Sequence, residues 1–168
     1  MKDVYKKLLL EMLVNSKRSD RELAKVLHVS QPTVTRARNW LEKNNLINEY
    51  TVIPDFSKIG LELVAFTFVK LCAGSTKEKY EGVKKKAKSF LARHPNVVMA
   101  LRGEGIGCDG VIVSLHKDFA EFTQFMRELK TEKVDTEVVG SFLASLQDGN
   151  QHRGLTFRHI KEYVDRED

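Results

Sequence analysis

Apolar residues recur at helical spacing through the first 47 positions of the chain. Three groups show this spacing: Leu8, Leu9, Met12 and Leu13; Leu23, Ala24 and Leu27; and Val34, Ala37 and Leu41. Because successive residues of a helix are about 100° apart, each group falls on one side of a helix. The pattern predicts three short amphipathic helices whose apolar sides pack together.

Polar residues mark where the second and third of these helices begin and end. Ser19 and Glu22 have the spacing of a capping box, in which each side chain accepts a hydrogen bond from the other residue's backbone. Ser30 is a good N-cap for the third helix, which ends at Asn44 and Asn45 because asparagine tolerates the left-handed conformation. Two capped helices separated by so short a turn are typical of a helix-turn-helix.

Beyond residue 60 the pattern of apolar residues changes to that of β-strands. Strands are predicted over 61–73, 97–102, 110–116 and 134–146, and helices over 76–93 and after Asp118, the latter with Phe119, Phe122, Met126 and Leu129 facing inward. The order strand, helix, strand, strand, helix, strand is that of the split ferredoxin-like unit. Its strands are apolar on both sides, so we expect a second subunit to cover the open face of the sheet in a two-fold dimer.

The two patterns together define an α+β fold class with four segments. An N-terminal helix-turn-helix (winged-helix-like) domain over 1–47 precedes a ferredoxin-like βαββαβ dimerisation and effector domain over 61–146. An extended linker spans 48–60, and a C-terminal tail spans 147–168. The apolar content of the tail predicts that it packs on its own subunit or on a neighbour's.

The side of the third helix that faces away from its core is polar. Side chains that can contact bases or phosphates are concentrated there and at the helix start: Ser30, Gln31, Thr33, Thr35, Arg36, Arg38 and Asn39. Arginine can bond guanine, and asparagine or glutamine can bond adenine, through two hydrogen bonds. We therefore expect Arg36 and Asn39 to contact bases, and Ser30 with the helix amides to hold a phosphate. A solvated helix face is the alternative that this feature alone leaves open.

The distribution of charge favours a polyanionic partner for the N-terminal segment. The formal net charge is +5, and residues 1–54 carry ten Lys/Arg against six Asp/Glu, so that +4 of the charge lies there. A positive field at the helix-turn-helix is the expected electrostatic signature of a DNA-binding domain.

Several other classes of protein are not indicated. The chain has no apolar run long enough for a membrane span and no signal-peptide pattern, so we expect a cytoplasmic protein. Cys72 and Cys108 lack zinc or disulfide spacing and are expected to be buried free thiols. Catalytic residues, a metal site and a cofactor are not predicted, because no nucleophile, base and orienting group stand at a recognisable spacing.

The stretch LAKVLHVSQPTVTRARNWLEKNNLI, followed by EYTVIPDFSKIGLEL, resembles the leucine-responsive regulatory protein/AsnC (feast/famine) family of prokaryotic transcription regulators, and its archaeal members most closely. The resemblance extends over residues 4–146. It implies a DNA-binding regulator whose C-terminal domains pair sheet to sheet in a homodimer. Such dimers often assemble further, into tetramers or octamers.

A glycine-rich stretch, GEGIGCDG, lies between the second and third predicted strands. In the resembling family the corresponding turn lies at the dimer contacts where amino-acid effectors bind. The resemblance therefore implies an amino-acid-like effector with these candidate residues: Gly103, Glu104, Gly105, Gly107 and Asp109. A tight connection between strands is the alternative, and a Walker-type phosphate loop is not indicated because neither its lysine nor a helix follows.

Together these observations predict a sequence-specific transcription regulator that binds double-stranded DNA as a dimer or higher oligomer and responds to a small-molecule effector. An architectural DNA organiser of low sequence specificity is the first alternative. A siroheme-decarboxylase-like enzyme on the same fold is less favoured, because EYTVIPDFSKIG lacks the aromatic and histidine-rich stretch that those enzymes carry.

Overall fold

The computed structural model describes residues 2–71, 77–131, 136–147 and 150–166, with the backbone alone at 71 and 77–80. The chain forms two compact units, Met1–Ile53 with Arg153–Asp168, and Pro54–His152. The expectation for Cys72 and the predicted element ends at 72–76 and 134–135 lie outside the described residues. Among the residues described, no helix combines the length and the apolar character that a membrane crossing requires.

The first unit contains the three predicted helices. They are α1 (Asp3–Val14), α2 (Asp20–Leu27) and α3 (Gln31–Lys43). Their buried core consists of Leu8, Met12, Leu23, Ala24, Val34, Ala37 and Leu41. The predicted stripe of α3 is fully buried, and Leu9 of α1 and Leu27 of α2 are half-buried against the same core. In α1, Leu13 is half-buried, and Leu10 is buried although it was not predicted to be.

Local polar contacts fix the ends of these helices as the sequence predicts. The capping box of α2 is present, with the Ser19 backbone N–H donating to Glu22 Oε2 at 2.7 Å and the Glu22 backbone N–H donating to Ser19 Oγ at 3.3 Å. His28 ends α2 in the left-handed conformation, at φ 53°. Asn45, at φ 55°, does the same after α3. The turn between α2 and α3 is thus set by side-chain and backbone preferences close in sequence.

The C-terminal tail packs on its own chain. A short helix, α6 (Ile160–Asp165), lies against α1 within the first unit. Lys161 Nζ approaches Glu11 Oε1 of α1 to 3.7 Å. Of the two alternatives that the sequence left open, the structure shows docking within the same subunit.

The second unit has the predicted ferredoxin-like topology. In chain order it contains β1 (Leu63–Leu71), α4 (Lys77–Arg93), β2 (Val97–Gly105), β3 (Cys108–His116), α5 (Phe119–Thr131) and β4 (Thr136–Ser145). The strands form one antiparallel sheet in the order β2-β3-β1-β4. A core of Phe90, Phe125 and Leu129 joins the helices to one face of this sheet, and the fold class is confirmed. Cys108 is a buried free thiol, as predicted.

The opposite face of the sheet is also apolar. Along β1, Val64, Phe66 and Phe68 alternate with the more deeply buried Ala65, Thr67 and Val69 of the helix-covered face. Phe66 pairs with Phe142 of β4, and the two ring centroids are 6.3 Å apart. Met99 and Leu101 of β2 continue this face to the opposite edge of the sheet. Phe142 remains 62% exposed, so the face is uncovered in the single chain.

The glycine-rich connection is shorter than the sequence predicts. The sequence predicts a loop over 103–110, but β2 continues to Gly105 and β3 starts at Cys108. Only Ile106 and Gly107 form the turn, both at positive φ (45° and 74°), as in a type I′ hairpin turn. Glycines favour loops in general, yet here both strands extend through them, with a shift of register between Arg102 and Gly105.

The inward face predicted for α5 is wrong at one position. Phe119 is 65% exposed, whereas Phe125 is 3% exposed and belongs to the core. Phe119 is the first residue of the helix, and Phe125 contacts the aromatic side chains of Phe90 and His94. The other predicted positions, Phe122, Met126 and Leu129, do face inward, so the misprediction is confined to the first turn of the helix.

Candidate nucleic-acid interface

The two sides of α3 differ sharply in burial. Val34, Ala37 and Leu41 are fully buried, which anchors the helix on α1 and α2. The exposed side chains of its first nine residues are Gln31, Pro32, Thr35, Arg36 and Asn39. The helix thus presents a polar surface whose orientation is fixed by the core beneath it.

The start of α3 places the Ser30 hydroxyl group beside the first backbone N–H groups of the helix. Ser30 Oγ accepts a hydrogen bond from the Thr33 backbone N–H at 3.3 Å, and the two hydroxyl oxygens are 2.8 Å apart. Thr33 is half-buried beside this cap. A helix start has unpaired N–H groups and the positive end of the helix dipole, which favour an anion such as a phosphate.

Three exposed side chains on α3 retain hydrogen-bonding capacity for a ligand. Arg36 Nε donates to the backbone oxygen of Pro32 at 3.3 Å, a contact along its own helix. Across the described part of the chain, the side chains of Gln31 and Asn39 make no hydrogen bond. Their contact with DNA stays a prediction, but their exposure is what base contacts require.

Two further candidates, Thr35 and Arg38, contact an acidic residue of α2. Thr35 Oγ1 donates to Asp20 Oδ2 at 2.7 Å, and Arg38 Nε donates to Asp20 Oδ1 at 2.9 Å. Arg38 Nη2 lies 2.8 Å from the same Oδ1, with side-chain exposures of 18% for Arg38 and 22% for Asp20. Arg38 is therefore turned toward α2, whereas Thr35 is exposed beside this ion pair.

The ionisation of Asp20 follows from these contacts. Partial burial acts to raise the pKa of the Asp20 carboxyl, but the hydrogen bonds from Thr35 and Arg38 and the Arg38 charge outweigh it. The pKa of Asp20 is accordingly below its ordinary value. The carboxylate form is the one that joins α2 to α3.

The polar contacts continue from Arg38 to the chain that follows α3. Arg38 Nη1 donates to the Tyr50 hydroxyl at 3.5 Å, and that hydroxyl donates to Glu42 Oε1 at 2.6 Å. Burial and the Glu42 hydrogen bond raise the pKa of Tyr50 despite the opposing effect of Arg38. The first residues after α3 are thus tied to the same helix that carries the candidate DNA contacts.

Sequence analysis missed Asp20, Glu42 and Tyr50 as parts of this site. An acidic residue in the first turn of a helix is common because it complements the helix dipole, so Asp20 carried no distinguishing signal. Its contacts to Thr35 and Arg38 span 15 and 18 residues and depend on how α2 and α3 cross. These contacts can be identified only when the relative positions of α2 and α3 are known.

The effector candidates lie together at the hairpin of the second unit. Gly103, Glu104 and Gly105 end β2, Gly107 is in the turn, and Asp109 follows on β3. The structure thus brings the five residues to one end of the sheet, and ligand binding there stays a prediction. In the described ranges, no group of three or more His, Cys, Asp or Glu is placed to hold a metal ion.

Sequence comparison finds relatives among helix-turn-helix regulators. The chain is 37% identical over 57 residues to an uncharacterised helix-turn-helix-type transcriptional regulator of Pyrococcus abyssi, covering 34% of this chain and 38% of that protein. It is 27% identical over 124 residues to the helix-turn-helix-type transcriptional regulator FL11 of Pyrococcus horikoshii, covering 74% and 76%. The chain thus spans little more than a third of the first relative and three quarters of the second. No protein-family model matches the chain.

Solved structures with the same fold cover nearly the whole chain. An AsnC family transcriptional regulator of Agrobacterium tumefaciens superposes with a TM-score of 0.72 at 19% identity, over 93% of this chain and 95% of that one. A transcriptional regulator of Neisseria meningitidis in complex with L-Met gives 0.70 at 17% identity, over 95% and 99%. The resemblance seen in the sequence is confirmed, and the chain has the two-domain fold of the AsnC and leucine-responsive transcription regulators.

Proposed function

We propose that this chain is a sequence-specific transcription regulator that binds double-stranded DNA as a dimer or higher oligomer. The observation that carries the proposal is α3: its apolar side is fully buried, and its opposite side exposes Gln31, Arg36 and Asn39. That helix follows a tight turn and lies in the part of the chain with most of the positive charge. A helix with these properties fits the recognition helix of a helix-turn-helix.

Within this proposal each candidate has a role that fits its position. Arg36 and Asn39 contact bases, and Ser30 with the first amides of α3 holds a phosphate. Gln31, Thr33, Thr35 and Arg38 divide between bases, phosphates and support of the helix. Two copies of α3 related by the dimer axis contact a near-palindromic site, with half-sites about one helical turn apart or a multiple of it.

The proposed dimer forms through the open face of the sheet. That face carries Phe66, Phe68 and Phe142 beside Met99 and Leu101, and exposed apolar surface of this kind is a typical protein interface. We propose that the same face of a second copy covers it, because a two-fold axis brings the same patch of both subunits together.

A charge on this face should separate the subunits. We expect Phe142→Asp to convert dimers to monomers in sedimentation velocity and to weaken DNA binding in parallel. Phe119→Asp is the matched control, because Phe119 is equally exposed but lies at the start of α5, in the layer of helices. Dissociation by both variants, or by neither, would contradict the proposed interface.

We further propose that the hairpin binds an amino-acid-like effector. Glycine backbones leave amide groups accessible to a carboxylate, and Glu104 and Asp109 can attract an ammonium group. Because one neighbour in fold was solved with L-Met, L-Met is the first ligand to test. We expect an amino acid to raise the melting temperature of the protein, and Glu104→Ala to remove that rise. If none of the common amino acids shifts the melting temperature, the effector proposal is wrong.

Selection of bound DNA from a random pool, with purified protein, tests the main function. A shared motif supports a sequence-specific regulator, and two-fold symmetry in the motif supports the dimer. Competition with unrelated DNA across a salt series distinguishes an architectural organiser, because purely electrostatic binding has no preference for one sequence. Binding without any preference would contradict the proposal.

A further inference from the structure

Thr35 lies on the exposed side of α3, yet the single hydrogen of its hydroxyl group is directed into the protein. Its Oγ1 donates to Asp20 Oδ2 at 2.7 Å, and a second acceptor, the backbone oxygen of Gln31, lies 3.2 Å away. A threonine hydroxyl has one hydrogen and two lone pairs. Whichever acceptor takes the hydrogen, Thr35 offers a ligand only lone pairs and its methyl group.

Asp20 is held as an acceptor by a partner that can only donate. Arg38 Nε donates to Asp20 Oδ1 at 2.9 Å, and Arg38 Nη2 lies 2.8 Å from the same oxygen. A guanidinium group has five N–H donors and no acceptor, so it stabilises the carboxylate in its ionised form. The other oxygen, Oδ2, is then left to accept the Thr35 hydrogen.

The carboxylate also has an electrostatic effect, which favours the same kind of ligand group, a hydrogen-bond donor. Arg38 offsets the charge of Asp20 at a distance, but the atom of the ion pair next to Thr35 is the carboxylate oxygen Oδ2, at 2.7 Å. That negative end attracts the amino hydrogens of a base and repels carbonyl oxygens and ring nitrogens. In the major groove, amino groups are presented by N6 of adenine and N4 of cytosine. Guanine and thymine present acceptors there, and so does N7 of adenine. Both effects therefore favour an amino group opposite Thr35.

We propose that Thr35 contacts DNA as a hydrogen-bond acceptor alone, so that Asp20 makes this position of α3 selective for an amino group of adenine or cytosine. The inference rests on the proposed function, in which α3 enters the major groove. To that function it adds which partner donates and which accepts in one base contact. Asp20 and Arg38 are positioning residues, because they act on the base through Thr35.

The first experiment locates the contacted base pair. Bound DNA is selected with the unsubstituted protein and with Thr35→Val, which keeps the side-chain shape but has no acceptor. Thr123→Val is the matched control, because Thr123 is an exposed threonine of α5 whose hydroxyl donates to the carbonyl four residues earlier at 2.8 Å. We expect Thr35→Val, and not Thr123→Val, to lose the preference for one base pair in each half-site.

Base analogues in the selected site then measure the polarity of the contact. Purine lacks the N6 amino group of adenine, 7-deazaadenine lacks its N7 acceptor, and 2-pyrimidinone lacks the N4 amino group of cytosine. Removing the amino group should weaken binding by the wild-type protein about two- to tenfold, the effect of one hydrogen bond. Removing N7 should leave binding unchanged. Thr35→Val should bind the amino-free analogue and the natural base equally.

Asp20→Asn tests whether Asp20 sets this polarity. Because Arg38 can only donate, the amide oxygen must face Arg38 and the amide nitrogen must face Thr35, which then accepts that bond. We expect the effect of removing the amino group to fall toward that of Thr35→Val, with the circular dichroism spectrum unchanged. An effect equal to that of the wild type would overturn the assignment to Asp20.

The possible failures are distinguishable. A strong shared motif with no dependence on the amino group at this pair, or with dependence on N7 instead, overturns the inference and leaves the proposed function standing. The absence of any shared motif overturns the proposed function and the inference with it.

Discussion

Arg36→Ala should weaken DNA binding without weakening the fold, whereas Arg38→Ala should weaken the fold. The two arginines are two residues apart on α3 but differ in their contacts. Arg36 is exposed, and among the described residues its side chain bonds only along its own helix, at 3.3 Å to the Pro32 oxygen. Arg38 is 18% exposed and pairs with Asp20 of α2. Each variant is therefore the control for the other.

The expected magnitudes follow from these contacts. Loss of two hydrogen bonds to guanine at Arg36 should cost about 1–3 kcal/mol per half-site, or roughly five- to 150-fold in Kd. The free energy of unfolding should change by less than about 0.5 kcal/mol, as for other exposed substitutions. Arg38→Ala leaves Asp20 without its ion pair, and we expect the free energy of unfolding to fall by about 1–2 kcal/mol.

Two measurements separate binding from folding. Fluorescence anisotropy with a labelled copy of the selected site gives Kd at fixed salt, since phosphate contacts make Kd depend on ionic strength. Urea unfolding followed by the fluorescence of Trp40 gives the stability of the first unit. Trp40 is the only tryptophan of the chain, lies in α3, and its ring centroid is 4.8 Å from that of Tyr5 in α1.

Two results would refute the reasoning. An unchanged Kd for Arg36→Ala on the selected site would remove Arg36 from the base contacts. If Arg36→Ala lowered the free energy of unfolding as much as Arg38→Ala, Arg36 would stabilise the fold despite its exposure, and the proposed division of roles would be wrong.

Three further predictions concern stability. Because contacts with α3 lower the pKa of Asp20 in the folded state, they stabilise the fold above the ordinary aspartate pKa of about 3.9, and this contribution is lost as the pH falls through the lowered pKa. In urea unfolding from about pH 6 to about pH 3, the free energy of unfolding should therefore fall more steeply in the wild type than in Asp20→Asn. Gly110→Ala should lower the free energy of unfolding by about 1–3 kcal/mol, because its Cβ would lie 2.9 Å from the backbone oxygen of Leu101; Gly82→Ala in α4, with nothing within 4 Å, is the control in the same denaturant titration followed by circular dichroism. Ile106→Asn should raise the melting temperature of the protein, because a β-branched residue at φ 45° is strained and Asn-Gly is the preferred pair in a type I′ turn; a lower melting temperature would contradict the strain.

Features that depend on neighbouring residues could be predicted from the sequence. The buried side of α3 follows from the spacing of Val34, Ala37 and Leu41, and the start of α2 follows from Ser19 and Glu22. The order of strands and helices was enough to predict the ferredoxin-like topology, because that order permits few arrangements of the sheet.

Features that depend on residues distant in sequence could not be predicted. The contact of Asp20 with Arg38 requires the crossing of α2 and α3, and the burial of Phe125 in place of Phe119 requires the position of α4. His116 shows the same limit: it is fully buried, with Nε2 2.8 Å from Ser114 Oγ. Nothing in the sequence near His116 distinguishes it from an exposed histidine at the end of a strand.

The docking of α6 on α1 makes the first unit discontinuous in sequence. Met1–Ile53 is synthesised before the second unit, and Arg153–Asp168 only after it. During translation the three N-terminal helices must therefore persist without α6 until the whole second unit has been synthesised. A fragment ending before Arg153 would lack part of the unit that holds α3, so changes in α6 should affect the three helices at the start of the chain.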